Sequence, residues 1–233
     1  MKLSKKLFLG LLLCSFNLQA LPKETAFDTI SKSAVAEKFE LTDQQRRNLA
    51  QYAADSNNWN LVFDLIYPLA KKGDRNAQVN VGILYMQGRG VAQNNDKAYW
   101  WLSEAAEKGS IKAINHLALM YLDGLGVKKN VPHAIKLLEK TAKSDSVFAM
   151  FVLGAVYYQE IQVQDFKKAF IWFEKSARNN HNESKFRLAT MYEQGKGVKQ
   201  DTNKAIYWYQ ETLKQHDEFS EKAKKRLSML QAD

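Results

Sequence analysis

A four-residue phrase returns three times in this chain: Gly88-Arg89-Gly90-Val91, Gly124-Leu125-Gly126-Val127 and Gly195-Lys196-Gly197-Val198. Each copy follows a tyrosine by three residues (Tyr85, Tyr121, Tyr192) and precedes an alanine-marked amphipathic stretch (Ala98, Ala134, Ala205). With Tyr157 as the intervening copy, the tyrosines lie 36, 36 and 35 residues apart. A period of this size is the sequence mark of a solenoid, in which no unit can bury its apolar face without a neighbour. It also moves the search for function away from a catalytic pocket and towards an extended surface.

Each unit reads as two helices around the Gly-x-Gly-Val loop. In the first helix Ala77, Ala113, Ala149 and Ser184 recur, then Val81, Leu117, Leu153 and Leu188, then Gly82, Ala118, Gly154 and Ala189. With the tyrosines these fall on one side of a helix turning 100° per residue. Asn94, Asn130, Asp165 and Asp201 are expected N-caps of the second helix, and Pro132 fits its first turn. The expected buried stripe there is Ala98, Ala134, Ala169 and Ala205, then Trp101, Leu137, Trp172 and Trp208, then Ala106, Ala142, Ala177 and Leu213. Gly109 ends the first unit, with Asp145, Asn180 and His216 in its place later. The third unit has Glu160 and Gln162 where the others have glycine, and a loop one residue shorter, so its bend is expected to differ; drift is the favoured account, a kink in the superhelix the other.

Trp59 to Asp74 reads as the second helix of an earlier unit, with Pro68-Leu69-Ala70 and Gly73 in register with Glu104-Ala105-Ala106 and Gly109. Thr42 and Gln45 form a T-x-x-Q capping box opening a helix to about Ala54. Five helix pairs are therefore expected over 41–217, the first degenerate. A lysine-rich capping helix is expected within 218–233, since an open solenoid needs a polar end. Residues 21–40 read as a linker or a loosely docked helix.

At the N-terminus Lys2, Lys5 and Lys6 precede the apolar run Leu7 to Phe16, and Leu18-Gln19-Ala20 ends in a small residue. This is the order of a secretory signal peptide ending near Ala20, with an uncleaved anchor as the alternative. The run is shorter than the about 20 residues a span requires. Cys14, the only cysteine, follows Leu12 and Leu13, a context that disfavours lipidation, and a cleaved chain would hold no disulfide. The expected location is thus the periplasm or outside the cell, with no stable membrane insertion after cleavage. The net charge of +9 falls by three when Lys2, Lys5 and Lys6 are removed. The remaining lysines are interspersed with acids as on solvated faces, so nucleic acid is not an expected partner. An acidic protein or an anionic membrane surface stays open.

The pattern Ala77…Gly82…Tyr85…Gly88-x-Gly90-Val91…Ala98…Trp101…Ala105-Ala106…Gly109 resembles the Sel-1-like repeat, a tetratricopeptide-related unit, over roughly Trp59 to Gln215. The resemblance implies an all-α, right-handed solenoid serving as a scaffold for protein–protein contacts, often exported in bacteria. It implies adaptor, regulatory or immunity roles without choosing among them. A cysteine-rich branch with penicillin-binding activity is not implied, because its paired cysteines are absent.

No metalloprotease, phosphate-loop, serine-hydrolase or zinc-ligand spacing occurs, so no catalytic, cofactor-binding or metal residue is assigned. The Gly-x-Gly loops lack the strand and later glycine of a dinucleotide site. His116, His133, His181 and His216 occupy unlike positions in different units, against a shared metal site. Function is therefore sought where the chain stops repeating. Val79, Ile83, Phe151, Val152, Tyr158 and Phe186, beside Asn80, His116, Leu119 and Arg187, are expected to form a groove on the first helices with an apolar floor and polar edges. Such a groove suits a peptide, helix or loop of a protein partner. The competing expectation is that packing between units covers these residues. A non-enzymatic exported adaptor or regulator leads, with an immunity protein, a cell-wall-acting enzyme and an envelope structural part as alternatives.

Overall fold

A computed structural model describes residues 41–230; the expected leader over 1–20, the segment 21–40 and the last residues 231–233 of the expected cap lie outside the described residues. The described residues form five helix pairs and a final helix, with no strand among them. The pairs are α1 (Asp43–Asp55) with α2 (Trp59–Lys71), α3 (Arg75–Gln87) with α4 (Asn95–Glu107), and α5 (Ile111–Asp123) with α6 (Val131–Ala142). They continue with α7 (Val147–Gln159) and α8 (Phe166–Arg178), then α9 (Asn182–Gln194) and α10 (Thr202–Leu213), and α11 (Glu218–Leu230) closes the array. Helices adjacent in the chain pack against each other, and α9 also touches α11. Each pair therefore depends on its neighbours, as the period implied.

The capping expectations hold. Thr42 and Gln45 form both halves of a capping box at α1. Asn94, Asn130, Asp165 and Asp201 each accept an amide hydrogen bond three residues on. Their own amides close the unit, donating to the carbonyls of Tyr85, Tyr121, Tyr157 and Tyr192 at 2.8–3.0 Å. Gly73 and Gly109 have positive φ, and so do Asp145, Asn180 and His216 in their place. Those three carry the modest strain of a left-handed non-glycine residue.

The two glycines of the loop have separate tasks. Gly88, Gly124 and Gly195 end the first helices in the left-handed conformation. Gly90, Gly126 and Gly197 press onto the backbone that opens the preceding unit's second helix, where a Cβ would overlap the carbonyls of Trp59, Asn95 and Phe166. The phrase is thus a joint between units. In the third unit a 3₁₀ turn (Ile161–Val163) takes its place, leaving Ile161 89% exposed. The amide of Asp165 still reaches the carbonyl of Tyr157 at 2.8 Å, and Lys129 pairs with Glu160 at 3.3 Å across the joint.

Ala98, Ala134, Ala169, Ala205, Trp101, Ala142 and Ala177 of the expected second-helix stripe are buried, but elsewhere the most deeply buried residue lies one place later. Leu102, Leu138, Phe173 and Tyr209 are fully buried, whereas Leu137, Trp172 and Trp208 are only half-buried. A turn later Ala105, Thr141, Ser176 and Thr212 are buried, whereas Ala106 and Leu213 are partly exposed. The contact geometry explains the shift. A Cβ at Gly82 would lie 2.7 Å from Leu102 Cγ and one at Gly154 2.6 Å from Phe173 Cδ1. Gly82 and Gly154 of the first helices are thus the seats for Leu102 and Phe173, the residues after the expected ones.

Candidate functional site

Arg47, Ala50, Gln51 and Ala54 recur on one face of α1 at helical spacing and look across a gap to Asn80, Ile83 and Gln87 of α3. Trp59, Val62, Ile66 and Leu69 of α2 supply the floor, and Lys112 of α5 and Arg89 of the loop stand at the margin. Together they enclose a cavity of about 410 Å³ at the N-terminal end of the first-helix face. Arg47 pairs with the N-cap Asp74 at 2.8 Å, and Lys72 pairs with Asp43 at 2.7 Å, fixing α1 against the turn that opens α3. Burial acts to raise the Asp74 carboxyl, but the Ala77 amide and the Arg47 guanidinium outweigh it and hold it below its ordinary value. Arg89 lies over the Trp59 ring, 5.1 Å from its centroid.

The ten residues expected to form the groove separate into four groups. Val79 and Val152 are corrections: at 2% and 6% exposure they belong to the core. Both lie on the α3 and α7 flanks that turn inward, a side the first-helix pattern left ambiguous. Asn80 is exposed and Ile83 partly so, and both line the cavity. His116, Leu119 and Arg187 are partly exposed further along, with Arg187 paired to Glu183 at 2.9 Å. Phe151, Tyr158 and Phe186 are half-buried because they reach the next unit. Phe151 meets His181 at 4.6 Å between ring centroids, the Tyr158 hydroxyl accepts from Lys196 Nζ at 3.2 Å, and Phe186 meets Phe219 of α11 at 5.9 Å. Packing therefore covers part of the expected surface and leaves the rest open.

The two ends of this face differ. At the C-terminal end α11 closes on α9 through Phe219 and through Arg226, which pairs with Glu193. At the N-terminal end the cavity is open among the described residues. The α1 side of it escaped the sequence reading because its unit lacks the glycine loop; the spacing of Arg47, Ala50, Gln51 and Ala54 was the available signal. His116 and His181 are both shifted down by burial, with nearby Lys112 adding to the effect at His116, so neutral rings face the unit junctions. Among the described residues no group of three or more His, Cys, Asp or Glu side chains is placed to hold a metal ion. No described helix is long and apolar enough to cross a membrane.

Helix pairs stacked in this manner define an all-α repeat solenoid. Sel1 repeats are matched at residues 75–110, 111–146, 147–181 and 182–217, more than half of the chain, and the protein belongs to the Sel1 repeat family. Members of the family generally mediate protein–protein contacts. A Sel1 repeat protein from Oxalobacter formigenes is similar at 29% identity and a TM-score of 0.60, covering 72% of this chain and 49% of its own. A protective antigen of uropathogenic Escherichia coli strains is similar at 24% identity and a TM-score of 0.70, covering 81% and 41%. An immunity protein from Pseudomonas aeruginosa shares the fold at 18% identity and a TM-score of 0.52, covering 83% of each chain. The match thus spans less than half the length of the first two structures. No curated protein matches.

Proposed function

We propose that the chain is a non-enzymatic, exported scaffold that binds a protein partner along its first-helix face, as an adaptor or regulator of an envelope system. The supporting observation is the run of non-repeating, partly exposed residues Ile83, His116, Leu119 and Arg187, flanked by half-buried Phe151 and Phe186. Core positions in this chain repeat from unit to unit, whereas the positions of Ile83, His116, Leu119 and Arg187 carry a different side chain in each. A surface selected only for solvation would not place leucine, isoleucine and phenylalanine side by side along one strip. The basic leader order at Lys2 to Ala20 supports export.

The test is affinity capture from the native envelope with the full chain and with Leu119→Ser combined with Arg187→Glu. Phe151 is spared because it supports His181 and Phe173. Wild type is expected to retain a partner that the double variant loses, with both melting at similar temperatures. Equal recovery by the two proteins defeats the assignment of this face. A secreted effector as the captured partner would make the scaffold an immunity protein.

A further inference from the structure

We propose that the outer stripes of the second helices α6 and α8 form a docking surface for an anionic phospholipid bilayer. In the sequence the lysines of these helices are interspersed with acids, but the fold sorts them. α7 packs against both helices, and Ala134 and Leu138 of α6 and Ala169 and Phe173 of α8 are buried in one cluster with it. The stripe of α6 turned away from that cluster carries Lys136, Lys140 and, just past the helix end, Lys143. The matching stripe of α8 carries Lys167, Ile171, Lys175 and Arg178. All seven side chains are exposed. The stripes are in register, with Lys140 and Lys175, and Lys143 and Arg178, at equivalent places 35 residues apart.

The charge on these stripes is neither balanced nor continued along the array. Arg178 pairs with Glu174 at 2.8 Å, and the Lys175 ammonium lies 4.3 Å from the centroid of the half-buried Trp172 ring. Lys136, Lys140, Lys143 and Lys167 make no ion pair among the described residues. In the flanking units the place of Lys140 and Lys175 is taken by Glu104 on α4 and Glu211 on α10. The excess of cations is thus confined to two successive second helices, although the mixed pattern of the flanks would serve solvation equally well. The row is also apolar. Ile171 is 48% exposed, and its place is held by Trp100 on α4 and Tyr207 on α10, at 53% and 54%. Tryptophan and tyrosine suit the headgroup level of a bilayer, with an apolar body inward and a polar tip outward. Lysines on flexible stems meet diffuse phosphate charge as point charges, whereas the carboxylates of a protein are better held by the arginine fork. The one arginine of these stripes is already engaged by Glu174.

Attraction on such a surface comes from the lysines and weakens as salt screens them, while shallow burial of Ile171 adds an apolar part. Binding through the second helices leaves the first-helix face to the aqueous side. This inference therefore stands apart from the partner-binding reading, since the two use different residues.

The experiment uses the full chain and vesicles of phosphatidylcholine, alone or with about one third phosphatidylglycerol. The N-terminal segment is common to every protein compared, so the reading is the difference between variants. Lys140→Glu combined with Lys175→Glu places there the residue type that Glu104 and Glu211 already hold, and is expected to keep the melting temperature. Its affinity for the anionic vesicles is expected to fall at least about tenfold, with a shallower salt dependence. Leu119→Ser combined with Arg187→Glu is expected to bind them as wild type does. In a Cys14→Ser background, an environment-sensitive fluorophore on Ile171→Cys is expected to shift to the blue on anionic vesicles and not on neutral ones. The same fluorophore on Asn80→Cys, on the first-helix face, is expected to stay unchanged. Equal vesicle binding by wild type and the Lys140 and Lys175 double variant overturns the proposal, as does an equal response from the two labels. A label at Ile171 that ignores vesicles and responds to an acidic protein from the envelope overturns it too, making the occupant a protein. If vesicle binding behaves as expected and envelope capture fails, the partner reading falls and this one stands.

Discussion

Glu193 of α9 accepts a hydrogen bond from the Tyr209 phenol of α10 at 2.6 Å, and Arg226 of α11 closes on the same carboxylate. One acid thus joins the last three helices. Thr190 also meets the phenol oxygen, at 3.1 Å. Repeat arrays fray from their ends, because a terminal unit has one neighbour instead of two. Glu193→Ala is expected to lower stability by about 1–3 kcal/mol, since it leaves both Tyr209 and Arg226 without their acceptor. Hydrogen exchange should show the loss concentrated in α10 and α11, with α3 to α6 unchanged. Uniform loosening of the array would contradict the clamp.

The same phenol sets an alkaline limit. Burial, and then the Glu193 carboxylate, push the Tyr209 pKa up to about 12. An unfolded tyrosine gives up its proton near pH 10. Between those values the folded chain holds one proton more than the unfolded chain, so stability is level below pH 10 and falls as the pH rises towards 12. Tyr209→Phe removes this dependence. Urea midpoints of wild type and variant are expected to converge between pH 9 and 11.5. Parallel curves would mean that Tyr209 ionises as freely in the folded chain as in the unfolded one.

Glycine substitution separates the loop's two tasks. Gly90 has φ 70° and lies against the Trp59 carbonyl, whereas Gly109 has φ 77° with nothing within 4 Å of an added Cβ. Gly109→Asn is expected to be nearly neutral, because Asn180 already serves at the equivalent place with φ 66°. Gly90→Asn is expected to cost at least about 2 kcal/mol, because the joint between units must open as well. Thermal melts of the two variants check the contrast, and similar melting temperatures would refute the joint.

These loops were legible in the sequence because glycine at positive φ and an Asn or Asp N-cap are local requirements that repeat with the period. The second-helix stripe was less so. Leu137 and Leu138, or Trp172 and Phe173, are adjacent and both apolar, so a 3.6-residue period cannot choose between them. The choice is made in three dimensions, where Gly82 and Gly154 leave room for Leu102 and Phe173. The candidate face was read by contrast with the repeat, which pointed to Asn80, Ile83 and Leu119, all exposed or partly exposed. The same contrast gave Val79 and Val152 wrongly, and had no purchase on α1, whose unit does not repeat.

That one-residue shift can be measured. Phe173 is 1% exposed in contact with Gly154, whereas Trp172 is half-buried beneath Lys175, whose ammonium lies 4.3 Å from its ring centroid. Phe173→Ala is expected to cost about 3–5 kcal/mol, the usual range for emptying an aromatic core site. Trp172→Ala removes a larger side chain yet is expected to cost less, because much of its ring stays in contact with water and the lysine over it. Denaturant titration of the two variants decides the matter. The reverse order would restore the stripe that the sequence suggested.

Acid should loosen the unit junctions before it titrates the carboxylates. Burial lowers the pKa of His116, with Lys112 adding to the shift, and burial also lowers that of His181, against the opposing pull of Glu183 and Asp217. An unfolded histidine takes up a proton near pH 6.5, while these two do so only at lower pH. The unfolded chain therefore binds more protons in that window. The stabilisation is complete above about pH 6.5 and is lost as the pH falls through the lowered folded values. His181 is also the N-cap of α9, accepting from the Ser184 amide at 3.3 Å, and Asn can keep that cap. His116→Gln combined with His181→Asn is expected to flatten the stability curve between pH 6.5 and 5. Aspartates with lowered pKa, such as Asp74 and Asp217, would retain their own fall nearer pH 4. A double variant with the wild-type slope above pH 5 would show that neither ring is held neutral at the junctions.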